Sequence, residues 1–175
     1  MKIRGRNLKC KHLFFLSLYY GIMRYLPSVG GKRLRRFCCK HIFKYCGNNI
    51  NVERMANFGS GLDIEIGDNS GIGINACIPS NTKIGNNVMM GPNCYILASN
   101  HAFSRIDIPM IQQGHTVKKQ TVIEDDVWIG RDVLMTPGRI IKTGSIIAGG
   151  CVLCKDFPAY SIVGGNPSKL IKSRL

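Results

Sequence analysis

Aliphatic side chains recur at every sixth position over two long stretches of the chain, Ile66, Ile72, Ile78, Ile84, Met90 and Ile96, and then Ile123, Ile129, Met135, Ile141, Ile147 and Leu153. A strand alternates with period two and an amphipathic helix repeats near every fourth residue, so a period of six predicts a repeating coil of short straight segments. Written in sixes, the first stretch reads IGDNSG, IGINAC, IPSNTK, IGNNVM, MGPNCY and ILASNH, and the second IEDDVW, IGRDVL, MTPGRI, IKTGSI, IAGGCV and LCKDFP. Gly often follows the aliphatic residue, Asn or Asp recurs at the third or fourth place, and the fifth is usually small or β-branched. Each unit is therefore a short strand and a tight corner: the aliphatic side chain points inward, while Gly, Asn and Asp tolerate the corner dihedrals. Three units close one triangular turn of about 18 residues, and stacked turns form a parallel β-helix whose interior is a column of aliphatic side chains.

The pattern predicts turns over 66–83, 84–101, roughly 105–122, 123–140 and 141–158, with a less regular capping turn over 48–64. A β-sandwich would need strands with alternating faces and regularly spaced turns, and a Rossmann domain would need helical segments between strands and a GxGxxG after one of them. The interval from Ile96 to Ile123 is not a multiple of six. An excursion is expected within about 102–118, rejoining near Val117 or Val122, and this break holds His101. Three regions follow: a helical segment over 1–46, the coil with its inserted loop over 47–160, and an extended tail over 161–175.

Charge changes the reading of the first region only. The chain has a formal net charge of +14, and residues 1–46 hold six Lys and six Arg with no Asp or Glu. The rest is nearly neutral, so a nucleic-acid partner for the whole molecule is not expected; the head also lacks a recognisable nucleic-acid-binding module. Its apolar run, Leu13 to Met23, is shorter than the roughly 20 residues needed to span a bilayer. No convincing small-residue cleavage site follows it, as a signal peptide would require. A cytoplasmic protein is expected, with residues 1–45 either lying on an anionic membrane surface at the inner face or packing as an amphipathic helix on the coil. The eight cysteines are not spaced as a compact disulfide framework, and most read as reduced packing residues.

Four stretches carry a resemblance: GNNVMMGPNCYILASNH at 85–101, Val127-Trp128-Ile129-Gly130, Lys155-Asp156-Phe157-Pro158, and Gly164-Gly165-Asn166-Pro167-Ser168-Lys169-Leu170-Ile171. Over about residues 48–173 the chain resembles the bacterial hexapeptide-repeat acyltransferases, and among them the sugar and polysaccharide O-acetyltransferases of the galactoside, maltose and capsular or colanic-acid types. The resemblance implies an all-β main domain, a left-handed parallel β-helix with an extruded loop, assembled as a homotrimer. It also implies an O-acetyltransferase that uses acetyl-CoA as acyl donor, needs no metal, and acts on a sugar, polysaccharide or lipid-linked glycan.

On this resemblance His101 matches the catalytic histidine. The chemistry suits it, because an alcohol is a poor nucleophile while protonated and an imidazole, ordinarily titrating at about pH 6.5, can take the proton and return it to the departing thiolate. A backbone N–H is the expected donor to the tetrahedral oxyanion. Trp128, too large for the coil interior, is expected outside as a wall for the pantetheine arm or the acceptor. Lys155 matches the family lysine before Asp, with Arg131, Gly149 and Cys154 at neighbouring cofactor positions and Lys169 and Lys172 near the nucleotide phosphates. Asn57 and Asn75 are both candidates for the acceptor-binding residue, and His115 has no assigned role. Ala102 stands where the galactoside type carries Pro, which argues against a small free galactoside as acceptor.

Several rivals remain beside this reading. A cysteine acyl-enzyme would use Cys94 or Cys154. A γ-class carbonic anhydrase on the same coil would need three converging histidines, and only His101 and His115 lie in the repeat region. A serine or antibiotic acetyltransferase and a non-enzymatic membrane-associated scaffold complete the set.

Overall fold

A computed structural model describes residues 2–175. Two helices, α1 (Lys2–Gly21) and α2 (Ser28–Ile42), precede fifteen short strands. All but the last strand stack in parallel as the three faces of a β-helix of the left-handed type. One face carries β1 (Tyr45–Cys46), β3 (Glu65–Ile66), β5 (Lys83–Ile84), β8 (Val122–Ile123) and β11 (Ile140–Ile141). The second carries β2 (Asn51–Val52), β4 (Gly71–Ile72), β6 (Met89–Met90), β9 (Trp128–Ile129) and β12 (Ile146–Ile147). The third carries β7 (Tyr95–Ile96), β10 (Leu134–Met135) and β13 (Val152–Leu153), extended by bridges from Asn57 and Cys77.

The ladder residues form the interior column. All twelve are buried except the half-buried Met90, and the fifth-place residues Ser70, Ala76, Thr82, Val88, Cys94, Val127, Val133, Ser145 and Cys151 are buried beside them. Each fully buried Ile contributes about 1.5–3 kcal/mol, and the column is continuous because neighbouring turns cover one another. The corners take the left-handed backbone expected of Asn and Asp: Asn69, Asn75, Asn87, Asn93, Asp126 and Asp132 all have φ between 55° and 60°. Asn69 Nδ2 donates to Asn87 Oδ1 at 3.3 Å and Asn93 Nδ2 to Asp132 Oδ1 at 2.8 Å, so the corner amides also tie turn to turn.

Register corrects the turn count. Ile84 lies beside Ile123 and Ile96 beside Met135, the same offset in each case, so the turn containing Ile84 is covered directly by the turn containing Ile123. No coil turn occupies 105–122; the length in excess of one regular turn is extruded instead. The chain leaves after Leu97, whose N–H still reaches Met135 O at 3.0 Å, and returns at Lys119, whose N–H reaches Ala98 O at 3.3 Å. Val117 is exposed and takes no part in the return. At the other end the coil begins earlier than the pattern suggests. Tyr45 pairs with Glu65 and Asn51 with Gly71, a full first turn, slightly longer than those that follow, in which Phe58 occupies a ladder place.

The helices close that first turn. Tyr19 packs on Phe58 with ring centroids 4.6 Å apart and planes tilted by 43°, and Phe43 meets Phe58 edge-on at 4.8 Å. Arg35, buried in this joint, donates from Nε to Val52 O at 2.7 Å and from Nη1 to Leu26 O at 2.7 Å. Of the two placements expected for the head, packing on the coil is therefore realised by one side of it. Beyond Phe157, β14 (Ser161–Gly164) adds to β12 in parallel and β15 (Lys169–Ser173) folds back on β14 as an antiparallel hairpin.

Candidate functional site

The excursion is closed at its neck by a short antiparallel clasp. Thr116 N–H reaches Asn100 O at 2.8 Å, Asn100 N–H reaches Thr116 Oγ1 at 3.0 Å, and Ala102 N–H reaches Gly114 O at 3.0 Å. His101 and His115 face each other across this clasp, ring centroids 4.3 Å apart and tilted by 34°. Both imidazoles are exposed, and each is positioned by the clasp and the other ring. Farther out, Gln113 holds the loop together by accepting from Arg105 N–H at 3.1 Å and donating to Ile108 O at 3.1 Å. The loop's Phe103, Ile106, Met110 and Ile111 stay exposed.

Beneath the neck runs a groove of about 550 Å³ along the third face. Asn57, Asp63, Ser80, Asn81 and Tyr95 line it, with Ala98 and Lys118 from the loop's base. Asn57 is there because the first turn is complete: it bridges Cys77, which bridges Tyr95, so the three form one outward row. Its Oδ1 accepts from Tyr20 Oη and Gly59 N–H, both at 3.2 Å, which fixes the amide against α1. The Tyr95 phenol is held above its usual range, chiefly by the neighbouring Cys77. Asn75 lies elsewhere, in the corner ladder where its Nδ2 donates to Asn93 Oδ1 at 3.2 Å.

The residues anticipated for the cofactor lie along another path. Trp128 stands outside the coil, half exposed, between Met89 and Ile146 in register on the second face. At the next corner Gly130 and Gly149 approach so closely that a Cβ on Gly130 would lie 2.5 Å from Gly149 N. Gly150 N–H reaches Arg131 O at 2.8 Å. The hairpin turn then crosses toward the third face: Val152 N–H reaches Gly165 O at 3.0 Å, and Cys154 N–H reaches Ser168 Oγ at 3.2 Å. Lys169 follows Ser168, and Lys155 lies over the Phe157 ring with Nζ 5.5 Å from its centroid. Lys172 pairs with Ile162 on the hairpin. Thus Arg131 and Gly149 are in contact, Cys154 and Lys155 join Lys169 through Ser168, and no hydrogen bond or ion pair among the described residues links this path to His101.

The two cysteines weighed as nucleophiles differ. Cys94 is buried, its thiol pushed up to about 11 by desolvation, and it sits 3.2 Å from both Gly91 O and Gly130 O as a packing residue. Cys154 is exposed, and hydrogen bonding from Ser168 holds its thiol below the usual range. Ser168, buried under the turn, and the groove residues Ser80, Asn81, Tyr95 and Lys118 were not singled out from sequence. Ser168 stands out only as part of the stretch Gly164 to Ile171, and the others have no local signal, since stacked turns and the base of the loop bring them together. Among the described residues no three His, Cys, Asp or Glu side chains gather as a metal-binding group.

Residues 63–98 match the bacterial transferase hexapeptide family (six repeats). The structure is similar to that of a maltose O-acetyltransferase from Clostridium difficile 630, at 27% identity and TM-score 0.77, covering 95% of this chain and 87% of that one. It is equally similar to a hexapeptide-repeat acetyltransferase from Vibrio cholerae in complex with acetyl coenzyme A, at 27% identity and TM-score 0.77, covering 96% and 87%. In sequence the chain is 41% identical over 61 residues to a chloramphenicol acetyltransferase of Agrobacterium fabrum, covering 35% of this chain and 29% of that protein. The chain spans less than half the length of the curated relatives it matches.

Proposed function

We propose that this chain, whose residues 63–98 match the bacterial transferase hexapeptide family, transfers an acetyl group from acetyl-CoA to a hydroxyl of a sugar, polysaccharide or lipid-linked glycan precursor. His101 carries this reading: an exposed imidazole held at the neck of the excursion against His115, above a polar groove. The acceptor hydroxyl attacks the thioester carbonyl carbon as the imidazole nitrogen takes its proton. The tetrahedral oxyanion, met by a backbone N–H, collapses with cleavage of the C–S bond. The CoA thiolate leaves and recovers the proton, so the products are an acetyl ester and free CoA. Asn57, Ser80, Asn81 and Tyr95 supply the donors and acceptors a sugar's hydroxyls require.

Acetyl-CoA fits the path of close-packed corners and bases. Gly149 and Gly150 leave the corner open, with no side chain to keep a pantetheine arm from the backbone, and Trp128 walls it. Arg131, Lys155, Lys169 and Lys172 offer positive charge to the nucleotide phosphates, and Cys154 lies among them. The donor path and His101 are joined, in this proposal, by assembly as a homotrimer. A neighbour would cover the loop's exposed Phe103, Ile106, Met110 and Ile111 and bring a second protomer's coil beside the histidine.

Thiol release from acetyl-CoA across a panel of sugars, oligosaccharides and lipid-linked sugars tests this. Acceptor-dependent release is expected, falling by about 10²–10⁴-fold in kcat for His101→Ala. Equal acceptor-dependent rates for the two proteins would sink the assignment. The local identity to a chloramphenicol acetyltransferase favours a second reading, acetylation of an antibiotic hydroxyl. Including chloramphenicol in the panel decides between them by relative kcat/KM.

A further inference from the structure

The side of the helical head that faces away from the coil takes no part in the reaction proposed above. Helices α1 and α2 turn Tyr19, Cys38, Cys39 and Ile42 toward the coil. Leu13 and Phe14 on α1 are 58% and 63% exposed, and Leu34 and Phe37 on α2 are 43% and 53% exposed. These are not scattered single residues. Phe14 meets Phe15 edge-on at 5.3 Å and Phe15 meets Phe37 at 5.7 Å, so aromatic rings run across both helices as one patch. Beside it, Leu13 and Leu16 face Leu62 of the first coil turn across an apolar cleft of about 400 Å³.

The patch has a positive rim. Lys11, Arg33 and Lys40 are exposed, and no ion pair among the described residues holds them. Residues 1–46 contain no acid. The coil carboxylates that form ion pairs with the head meet other bases, Glu53 pairing with Lys32 and Arg35 and Glu65 with Lys44 and Lys83. A second copy of this face would bring like charges together across a symmetric contact, and a nucleic acid, which could stack bases on Phe14 and Phe37, has no apolar zone for the exposed Leu13 and Leu34. An anionic bilayer surface satisfies both halves: the interfacial zone takes the rings and leucines while the headgroups meet the lysines and arginine. No helix among the described residues is long and apolar enough to cross a membrane, so the contact is with the surface.

We propose that the outer face of α1 and α2 docks this protein on an anionic lipid surface, with Phe14 and Phe37 entering the interface and Lys11, Arg33 and Lys40 binding the headgroups. The docked head would hold the groove of the first turns near the bilayer, where a lipid-linked acceptor would be presented. The test is co-sedimentation of the full chain with vesicles of phosphatidylcholine alone or with about one third phosphatidylglycerol, at low and high salt. Retention is expected on the anionic vesicles only, weakened by salt. It should fall at least about tenfold for Lys11→Glu with Lys40→Glu and again for Phe14→Ser with Phe37→Ser.

Circular dichroism checks that each pair folds; should one not, Phe14→Ala and Lys40→Gln singly carry the same comparison. Failure of the wild type to sediment, equal retention on neutral vesicles, or full retention of the charge-reversed pair overturns the proposal. So does capture by duplex or single-stranded nucleic acid in place of vesicles. Binding is scored without acetyl-CoA, so a protein that sediments but transfers no acetyl group overturns only the enzymatic reading.

Discussion

Two glycines at one corner give a matched test of the proposed donor site. At Gly130 an added methyl would lie 2.5 Å from Gly149 N and 2.8 Å from Gly149 Cα, both backbone atoms with no rotamer to adjust. Carbon contacts rest at about 3.5 Å or more, so consecutive turns must part by most of an ångström. That strains the bonds that close the corner, Gly130 N–H to Ile147 O at 2.7 Å and Gly150 N–H to Arg131 O at 2.8 Å. Overpacking costs about 1–3 kcal/mol and each weakened hydrogen bond about 1 kcal/mol, so Gly130→Ala should lose about 2–5 kcal/mol. At Gly149 the nearest atoms to the same methyl are Arg131 O at 3.3 Å and Arg131 N at 3.7 Å, and the backbone is not left-handed. Reduced freedom of the unfolded chain offsets the small adjustment, so Gly149→Ala should stay within about 1 kcal/mol of the parent.

Urea unfolding at one fixed protein concentration, followed by the fluorescence of the single tryptophan, Trp128, measures the difference. The Gly130→Ala midpoint should drop by about 1–3 M and the Gly149→Ala midpoint hardly at all. The second half is kinetic. A methyl in the corner proposed for the pantetheine arm should raise the KM for acetyl-CoA about tenfold in Gly149→Ala without changing the acceptor's KM. Equal midpoints for the two variants would refute the close approach at Gly130. An unchanged donor KM in Gly149→Ala would remove the corner from the donor site.

Other consequences are as direct. Arg35→Met leaves the carbonyls of Val52 and Leu26 without their partner, and thermal unfolding should report a loss of about 2–5 kcal/mol; an unchanged midpoint would show that the guanidinium does not pin the head. Burial raises the Glu53 carboxyl, but hydrogen bonds from Lys32 and Asn51 and the charges of Lys32 and Arg35 outweigh it, so its pKa lies below the usual range. The stability it contributes is present above the ordinary glutamate value and is lost as pH falls through the folded one. Glu53→Gln should accordingly flatten the stability profile below about pH 5, and an identical acid limb in both proteins would contradict this. Iodoacetamide should alkylate Cys154 well before the buried Cys38, Cys39, Cys94 and Cys151, more slowly in Ser168→Ala and more slowly with CoA present; peptide mapping that finds no protection by CoA would place Cys154 outside the donor site.

The coil was legible because its physics is local. An aliphatic side chain every sixth place, a small residue at the fifth, and Asn or Asp at the corner each express one requirement of one short strand and one bend, and Ile72, Cys94 and Asn87 meet them in the structure. The run of bases without an acid likewise announced a distinct head. Turn count was not legible. The gap between Ile96 and Ile123 admits either a distorted turn or a loop, and only the pairing of Ile84 with Ile123 selects the loop. Asn57 and Asn75 looked alike as acceptor candidates, yet Asn75 takes the corner place of its regular repeat and joins the corner ladder, while Asn57 enters the groove because the pairing of the longer first turn sets it beside Cys77.

By itself, the sequence determined the repeating strand-and-corner unit, the inward column and the place where the period fails at His101. These depend on contacts within one repeat or on the periodic burial of like side chains. Tertiary structure alone decided that His115 returns to His101, that Tyr95 and Lys118 share a groove with Asn57, and that the hairpin carries Ser168 to Cys154. Those neighbours come from register between turns and from a clasp across the neck of the loop, and both are set by which backbone hydrogen bonds form once the column is packed.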